Sequence, residues 1–370
     1  MNKANLILNS LLIEGFRAFK RLEIERLGRV NLIVGKNSVG KTALLEALMI
    51  YACQGRPSAL LEVLSNRQEF VFGGDKSQLI DYPVEDLKYL FYQWPEIHDD
   101  LSQHRFRISQ FNPHQSPLFV EFDAVEVALM WQERWSNKPT VESLDRSELS
   151  AGELVFHISN RSGEVIVPPT LLRAGSLFIE GSVPQLFVSS FGISAEKMGE
   201  YWDNIALTDL DVEITEAARI IHNKIDRINL INKGTNLPNS FRVPYAKVGS
   251  QRVPLQSLGE GASRIFGLAL ALANAANGIL LVDEIESGLH FSVQHQMWEM
   301  IFQLADRLNA QVFATTHSDD CVAAFQAVAE KYMNIEGELI RLEVWNGEHK
   351  AILFDEERLE LAIREGVDVR

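Results

Sequence analysis

The spacing of apolar positions changes several times along the chain, and each change predicts a different element. Leu11-Leu-Ile and Arg21-Leu-Glu-Ile set apolar against charged neighbours, which predicts strand, turn and strand over 8–34. The run Asn31–Val34 is wholly apolar after its first residue. It leads through a glycine-framed loop to Leu44, Leu45, Leu48 and Met49, spaced for a helix from Thr42 to about Tyr51. Residues 54–104 lose the period and predict short helices in a variable insertion. Between about Arg105 and Phe187 alternation returns, in Val125-Glu-Val-Ala-Leu and Leu154-Val-Phe-His-Ile, with turn residues at Asn160–Gly163. This predicts an antiparallel sheet.

Residues 195–233 regain helical spacing. Val212, Ala217, Ile221, Ile225 and Ile228 would share one side of a helix Asp211–Asn232. A loop over 233–240 and a hairpin Phe241–Val253 follow. The rest alternates helix and strand: helix 262–274, strand Ile279–Val282, helix 292–308, strand Gln311–Thr315, helix 319–332 and a hairpin about Asn346-Gly347. Such alternation predicts an α/β fold. No repeat or sustained heptad occurs, so no long coiled coil is expected.

Composition adds two constraints. The 370 residues are 46% hydrophobic and 23% charged, an ordinary globular balance, and the formal net charge is −15. Bulk attraction to nucleic acid is therefore excluded, although a local basic strip is not. Residues 217–252 form such a strip, with Arg219, Lys224, Arg227, Lys233, Arg242, Lys247 and Arg252 against Asp226 alone. On the expected helix, Arg219, Asn223 and Arg227 would share a face. That strip reads either as a solvated face or as a track for phosphates. Cys53 and Cys321 lie in apolar surroundings and form no metal-binding or disulfide pattern, which fits a reducing cytoplasm. The uncharged run Ile265–Val282 has the length of a membrane span, but Asn274 and Asn277-Gly278 divide it into helix and strand. No membrane association is expected.

The chemistry gathers around Gly35-Lys-Asn-Ser-Val-Gly40-Lys41-Thr42, which fits the phosphate-binding loop G-x-x-x-x-G-K-[ST]. Asn37, Ser38, Gly40, Lys41, Thr42 and Ala43 would cradle the phosphates of ATP at a helix N-terminus. Lys41 would reach the β and γ phosphates, and Thr42 would hold Mg²⁺. The strand Ile279–Val282 delivers Asp283 and Glu284 to its carboxyl end, Asp283 for Mg²⁺ and Glu284 to activate water. His317 ends the next strand, where it would sense a γ-phosphate. Gly259-Glu-Gly261 opens the helix that precedes the acidic strand, where bare N–H groups would meet phosphate. Glu286-Ser-Gly288-Leu-His290 suits a loop crossing between subunits.

Together with Ile13-Glu-Gly-Phe-Arg17-Ala-Phe-Lys and the ending Asp355–Gly366, these motifs resemble the SMC-like AAA ATPases of the overcoming-lysogenization-defect group. The match frames both ends of the chain and leaves about 60–250 weakly covered. It implies an ABC/SMC-like P-loop ATPase head with a β-rich N-terminal lobe and a helical insertion. The head would be a single split unit over 1–370. Its parts would be strands and phosphate loop (1–60), variable insertion and antiparallel region (61–194), helical lid and hairpin (195–253), and the remaining catalytic half (254–370).

The resemblance further implies a homodimer, or a higher oligomer, closed around Mg²⁺-ATP. Gly259 and Gly261 would contact the partner's nucleotide, Arg17 would lie near the nucleotide, and Gln93 would be the metal-sensing glutamine. The cap departs from the family pattern, because Gly259-Glu260-Gly261 lacks the usual serine hydroxyl. The chain ends soon after its last hairpin, with no room for the nuclease domain of larger members. That implies a separate effector, a nuclease or toxin, in anti-phage defence. Two other classes remain open at this point: a RecF-like DNA-repair ATPase, and the nucleotide subunit of a membrane importer.

Overall fold

The computed structural model describes residues 6–69, 84–95, 104–111, 121–132, 153–167, 182–206, 208–220, 222–232 and 242–354. Two six-stranded sheets share the helix that follows the phosphate loop. The first is antiparallel. Its strands are β1 (Leu11–Phe16), β2 (Phe19–Ile24), β4 (Arg105–Phe111), β5 (Glu121–Gln132), β6 (Glu153–Asn160) and β7 (Gly163–Val167), in the order β2-β1-β4-β5-β6-β7. The second runs β15-β14-β3-β13-β12-β8. It uses β3 (Val30–Val34), β8 (Gln185–Val188), β12 (Ile279–Val282), β13 (Gln311–Thr315) and the hairpin β14 (Gly337–Trp345) with β15 (Glu348–Phe354). All of it is parallel except the β14–β15 pair.

The strands β3, β12 and β13 are buried at every position, as expected where helices cover both faces of a parallel sheet. Helix α1 (Lys41–Ala52) lies between the two sheets and is buried all round, so it has no polar face. Its one buried acid, Glu46, is met by Arg17 and Arg67. Helices α5 (Glu260–Asn274), α6 (Phe291–Arg307) and α7 (Asp319–Lys331) join the later strands. The run Ile265–Val282 is divided between α5 and β12. Asn274 closes the helix by donating to the Leu270 and Tyr201 carbonyls. No helix among the described residues is long and apolar enough to cross a membrane.

Two expectations fail, both through pairing between distant segments. Alternation places Phe187 at the end of the antiparallel region, yet β8 lies in the parallel sheet beside β12. Its Leu186 and Phe187 face different cores, so it lacks the alternation of a half-buried strand. The expected helix Asp211–Asn232 also stops early. Helices α3 (Ala195–Ile205) and α4 (Asp209–Ala218) are capped by Ser194 and Thr208, and Arg219 ends the second. The Arg219 guanidinium donates to the carbonyls of Ile225 and Asp226 and closes the turn.

Residues Ile225–Asn232 then form β9, paired with β10 (Arg242–Val248) and, beyond it, β11 (Gln251–Pro254). The spacing of Ala217, Ile225 and Ile228 imitates a helix face. Ile228 and Leu230, with β-branched neighbours, satisfy a strand once β10 supplies its edge. Val212, expected in the core, is 61% exposed. The basic face of Arg219, Asn223 and Arg227 therefore does not exist as a helix face. The loop 233–240 with Lys233, Ile221, and the closing segment 355–366 lie outside the described residues.

Candidate nucleotide site

Every strand of the parallel sheet that carries expected chemistry ends at the same edge. There β3 runs into the loop Gly35–Gly40, which curls through Gly35 (φ 144°), Ser38 (φ 63°) and Gly40 (φ 101°). A Cβ on Gly40 would lie 2.8 Å from the Phe19 ring, so glycine is required by contact as well as by dihedral. Helix α1 then begins with no side-chain cap and no acid in its first turn. Its first N–H groups are left free for an anion.

Lys41 is 7% exposed and donates to the Gly35 and Lys36 carbonyls at 2.6 and 3.1 Å. Its Nζ is also 3.5 Å from His317 Nδ1. Burial lowers its pKa, opposed by Asp283, Glu284 and Glu286. Thr42 Oγ1 donates to Asp283 Oδ2 at 3.2 Å, and Thr315 Oγ1 donates to Asp283 Oδ1 at 2.6 Å. One hydroxyl and one aligned carboxylate suit Mg²⁺, which keeps waters and takes phosphate oxygens as further ligands. Among the described residues no cluster of three or more His, Cys, Asp or Glu side chains offers an all-protein metal cage.

Glu284 has φ 47°, a region that bulky residues avoid. Its N–H is held by Thr315 Oγ1 at 2.9 Å, and its carboxylate accepts from Ser287. The backbone N–H of His317 donates to Glu286 Oε1 at 2.9 Å, which ties the β13 end to the loop after β12.

These groups surround a cavity of about 570 Å³. Arg17, Asn37, Ser38, Gly40, Lys41, Thr42, Ala43, Gln93, Asp283, Glu284 and His317 all line it. Among the described residues, five of the eleven non-glycine positions with positive φ lie on its wall: Arg17, Ser38, Gln93, Trp94 and Glu284. Backbone strain of that kind gathers at functional sites.

The pair missing from the wall is Gly259 and Gly261. Gly259 opens α5 with φ 114°, is exposed, and has nothing within 4 Å of where a Cβ would stand. Arg264, one turn into α5, donates to the carbonyls of Ser189, Asp283 and Glu284 at 2.8, 3.3 and 3.1 Å. It fixes the cap at the edge of the sheet, outside the cavity. His290 caps α6 by accepting from the Ser292 N–H.

Sequence reasoning missed Arg67, Glu69, Tyr92 and Trp94 on the wall, gave no role to Ala18 there or to Arg264 and Thr315 behind it, and read Glu286 only as part of a loop between subunits. Arg17 and Arg67 form an ion-pair network with Glu46 and Glu69, at 2.7–2.9 Å, in which Arg17 and Glu46 are buried. Burial pushes the Glu46 carboxyl up, and both arginines oppose it. An acid inside an otherwise apolar helix was the available signal. Thr315 could have been found as the polar end of an apolar strand.

The chain belongs to the family described as AAA domain, putative AbiEii toxin, Type IV TA system, whose model matches residues 131–322. A second AAA-domain model matches residues 10–89. The chain is 22% identical over 355 residues to an ATP/GTP phosphatase of Helicobacter pylori, covering 88% of this chain and 89% of that protein. A segment of 49 residues is 35% identical to an uncharacterised protein of Methanocaldococcus jannaschii, covering 13% of this chain and 22% of that one. The fold is similar to a solved SMC head bound to the C-winged helix domain of ScpA. That likeness has a TM-score of 0.52 and 12% identity, over 95% of this chain and 99% of that one. The protein is thus an ATPase of the AAA type with a mixed α/β, SMC-head-like fold.

Proposed function

We propose that the protein is a nucleotide-switched dimer, in which each cavity is closed by the Gly259–Gly261 cap of a second copy. The observation that carries this reading is the split of the expected site. Every residue meant to act in cis lines one cavity, whereas Gly259, exposed, and Gly261, half-exposed, lie off its wall. In the closed state, Lys41 exchanges the carbonyls of its own loop for the β and γ phosphates, and Arg17 lies beside the nucleotide. Thr42 and Asp283 hold Mg²⁺, whose chemistry is to neutralise charge on the phosphate oxygens. Gln93 senses that ion. Glu284 accepts a proton from the attacking water, and His317 donates to the γ-phosphate.

Partner-facing work follows from the same switch. The family description names a putative toxin of a toxin–antitoxin system, and the solved head carries a winged-helix protein. We infer that this single split head likewise controls a separate effector, as in the overcoming-lysogenization-defect group, in anti-phage defence.

The test is Glu284→Gln. Loss of a general base costs about 10²–10⁴-fold in rate. The variant should bind ATP, turn over at least about 100-fold more slowly and accumulate as a dimer in light scattering. A variant that stays monomeric with saturating ATP overturns the dimer. Unimpaired turnover removes Glu284 from the role of base.

A further inference from the structure

The small sheet β11-β10-β9 turns one face to the core and the other to solvent. Its inward rows are buried Ala246 with buried Ile228 and half-buried Val253, and buried Pro244 with Leu230. On the outer face Lys247 stands directly opposite Arg227 on one side and Arg252 on the other. All three are exposed. Neighbouring strands lie about 4.8 Å apart, so three positive charges form a row roughly 10 Å long across three strands.

Like charges placed directly opposite on adjacent strands repel and destabilise the sheet. Two other cations of this region are paired. Arg219 pairs with Glu216, and Arg242 pairs with Asp203. Arg227, Lys247 and Arg252 form no ion pair with a described residue. The adjacent carboxylate, Asp226, accepts from the Gly249 N–H at 3.1 Å. The row also opposes the sign of a molecule whose net charge is −15. In the next row of the same face Tyr245 stands between Asn229 and Pro254, half-buried. A basic row beside an aromatic ring is the combination that tracks a phosphate backbone and stacks a base.

We infer that this face docks the phosphate backbone of a nucleic acid, without reading its sequence. The row replaces the helical strip that sequence spacing suggested: the cations are collected by cross-strand register, not by helical turns. The placement also gives the site a mechanical output. Strand β11 runs directly through the turn Leu255–Leu258, anchored by fully buried Leu255, into Gly259. A ligand on Arg252 therefore sits on the segment that positions the glycine cap. The docking surface itself does not depend on the dimer.

The experiment is fluorescence anisotropy on the full chain with labelled single-stranded and duplex DNA of about 16 units, across roughly 50–200 mM salt. The comparison is with the triple variant Arg227→Glu, Lys247→Glu, Arg252→Glu. Wild type should bind at least one probe with a steep salt dependence. The variant should bind at least about 10-fold more weakly, with a log–log salt slope smaller by about 2–3. Its ATP turnover without DNA should match wild type, since none of the three residues touches the cavity. Lys247→Gln, which removes a single charge, covers the case of a misfolded triple variant and should bind about threefold more weakly. Equal affinity of the Gln variant and wild type overturns the proposal, as does failure of wild type to bind either DNA at the lowest salt. Poly-glutamate displacing DNA at equal charge concentration overturns it in favour of an acidic protein partner.

Discussion

Two helix N-termini in this molecule begin on glycine with no side-chain cap, and their surroundings differ sharply. Gly40 opens α1 inside the cavity, with Phe19 against it and no acid in the first turn. Gly259 opens α5 in open space, and Glu260 stands in its first turn. The neighbouring helices α6 and α7 are instead closed by their own His290 and Ser318 side chains. Bare N–H groups are thus kept at the two expected phosphate sites and covered at α6 and α7. The difference teaches that one glycine terminus is built to hold an anion alone. The other needs a second surface, and Glu260 makes it the weaker anion site.

The largest effect that would break this comparison lies at the α1 end. Lys41→Ala removes charge-assisted bonds to phosphate, each worth about 1.5–3 kcal/mol. ATP affinity by calorimetry should fall at least about 100-fold. Burial lowers the Lys41 pKa, so its charge is unfavourable in the folded protein at neutral pH. The Gly35 and Lys36 carbonyls lose their donor in the variant as well, so nucleotide affinity and not the melting temperature is the readout. Retained affinity would mean that the α1 terminus is not a phosphate site.

Arg264 is the physical link between the two termini, and its loss should have the next largest effect. Its guanidinium gathers the carbonyls of Ser189, just after β8, Asp283 and Glu284, and it is 8% exposed. Arg264→Ala leaves those carbonyls without their shared donor and releases the strained Glu284 backbone. Thermal denaturation should show a loss of about 2–3 kcal/mol. Steady-state kinetics should show kcat lowered about 10-fold or more, with KM for ATP changed less than threefold. Equal changes in kcat and KM would place Arg264 in nucleotide binding instead.

The α1 end was legible because all its parts are local. Gly35–Thr42 forms one loop, and the strands that deliver Asp283 and His317 are short apolar runs whose burial needs no partner to be specified. The remaining wall was not legible. Arg67, Glu69, Tyr92 and Trp94 come from an insertion without period, and only the fold places them opposite Lys41. Distant pairing also decided β8, which lacks alternation, and β9, whose isoleucines fit a helix until β10 arrives. The exposed Gly259 was legible as a helix start. Its distance from its own cavity was not, because that depends on the Arg264 clamp, which eight strands, β4 to β11, separate from β3 in sequence order.

The smallest effect is the sharpest test of the comparison, because it sets the same substitution at both ends. At Gly40 an alanine would carry φ 101° and push its Cβ to 2.8 Å from Phe19. Gly40→Ala should cost about 1–3 kcal/mol of stability and weaken ATP binding. Gly261 lies within α5 and is half-exposed, so an alanine there fits the helix. Gly261→Ala should leave the melting temperature unchanged or raise stability by up to about 1 kcal/mol, with ATP affinity of the monomer intact. If the cap approaches a second copy's nucleotide through bare backbone, the added methyl should still lower ATP-driven dimerisation and turnover a few-fold. A Gly261→Ala protein that dimerises and turns over like wild type would show that no partner nucleotide approaches the backbone at Gly261.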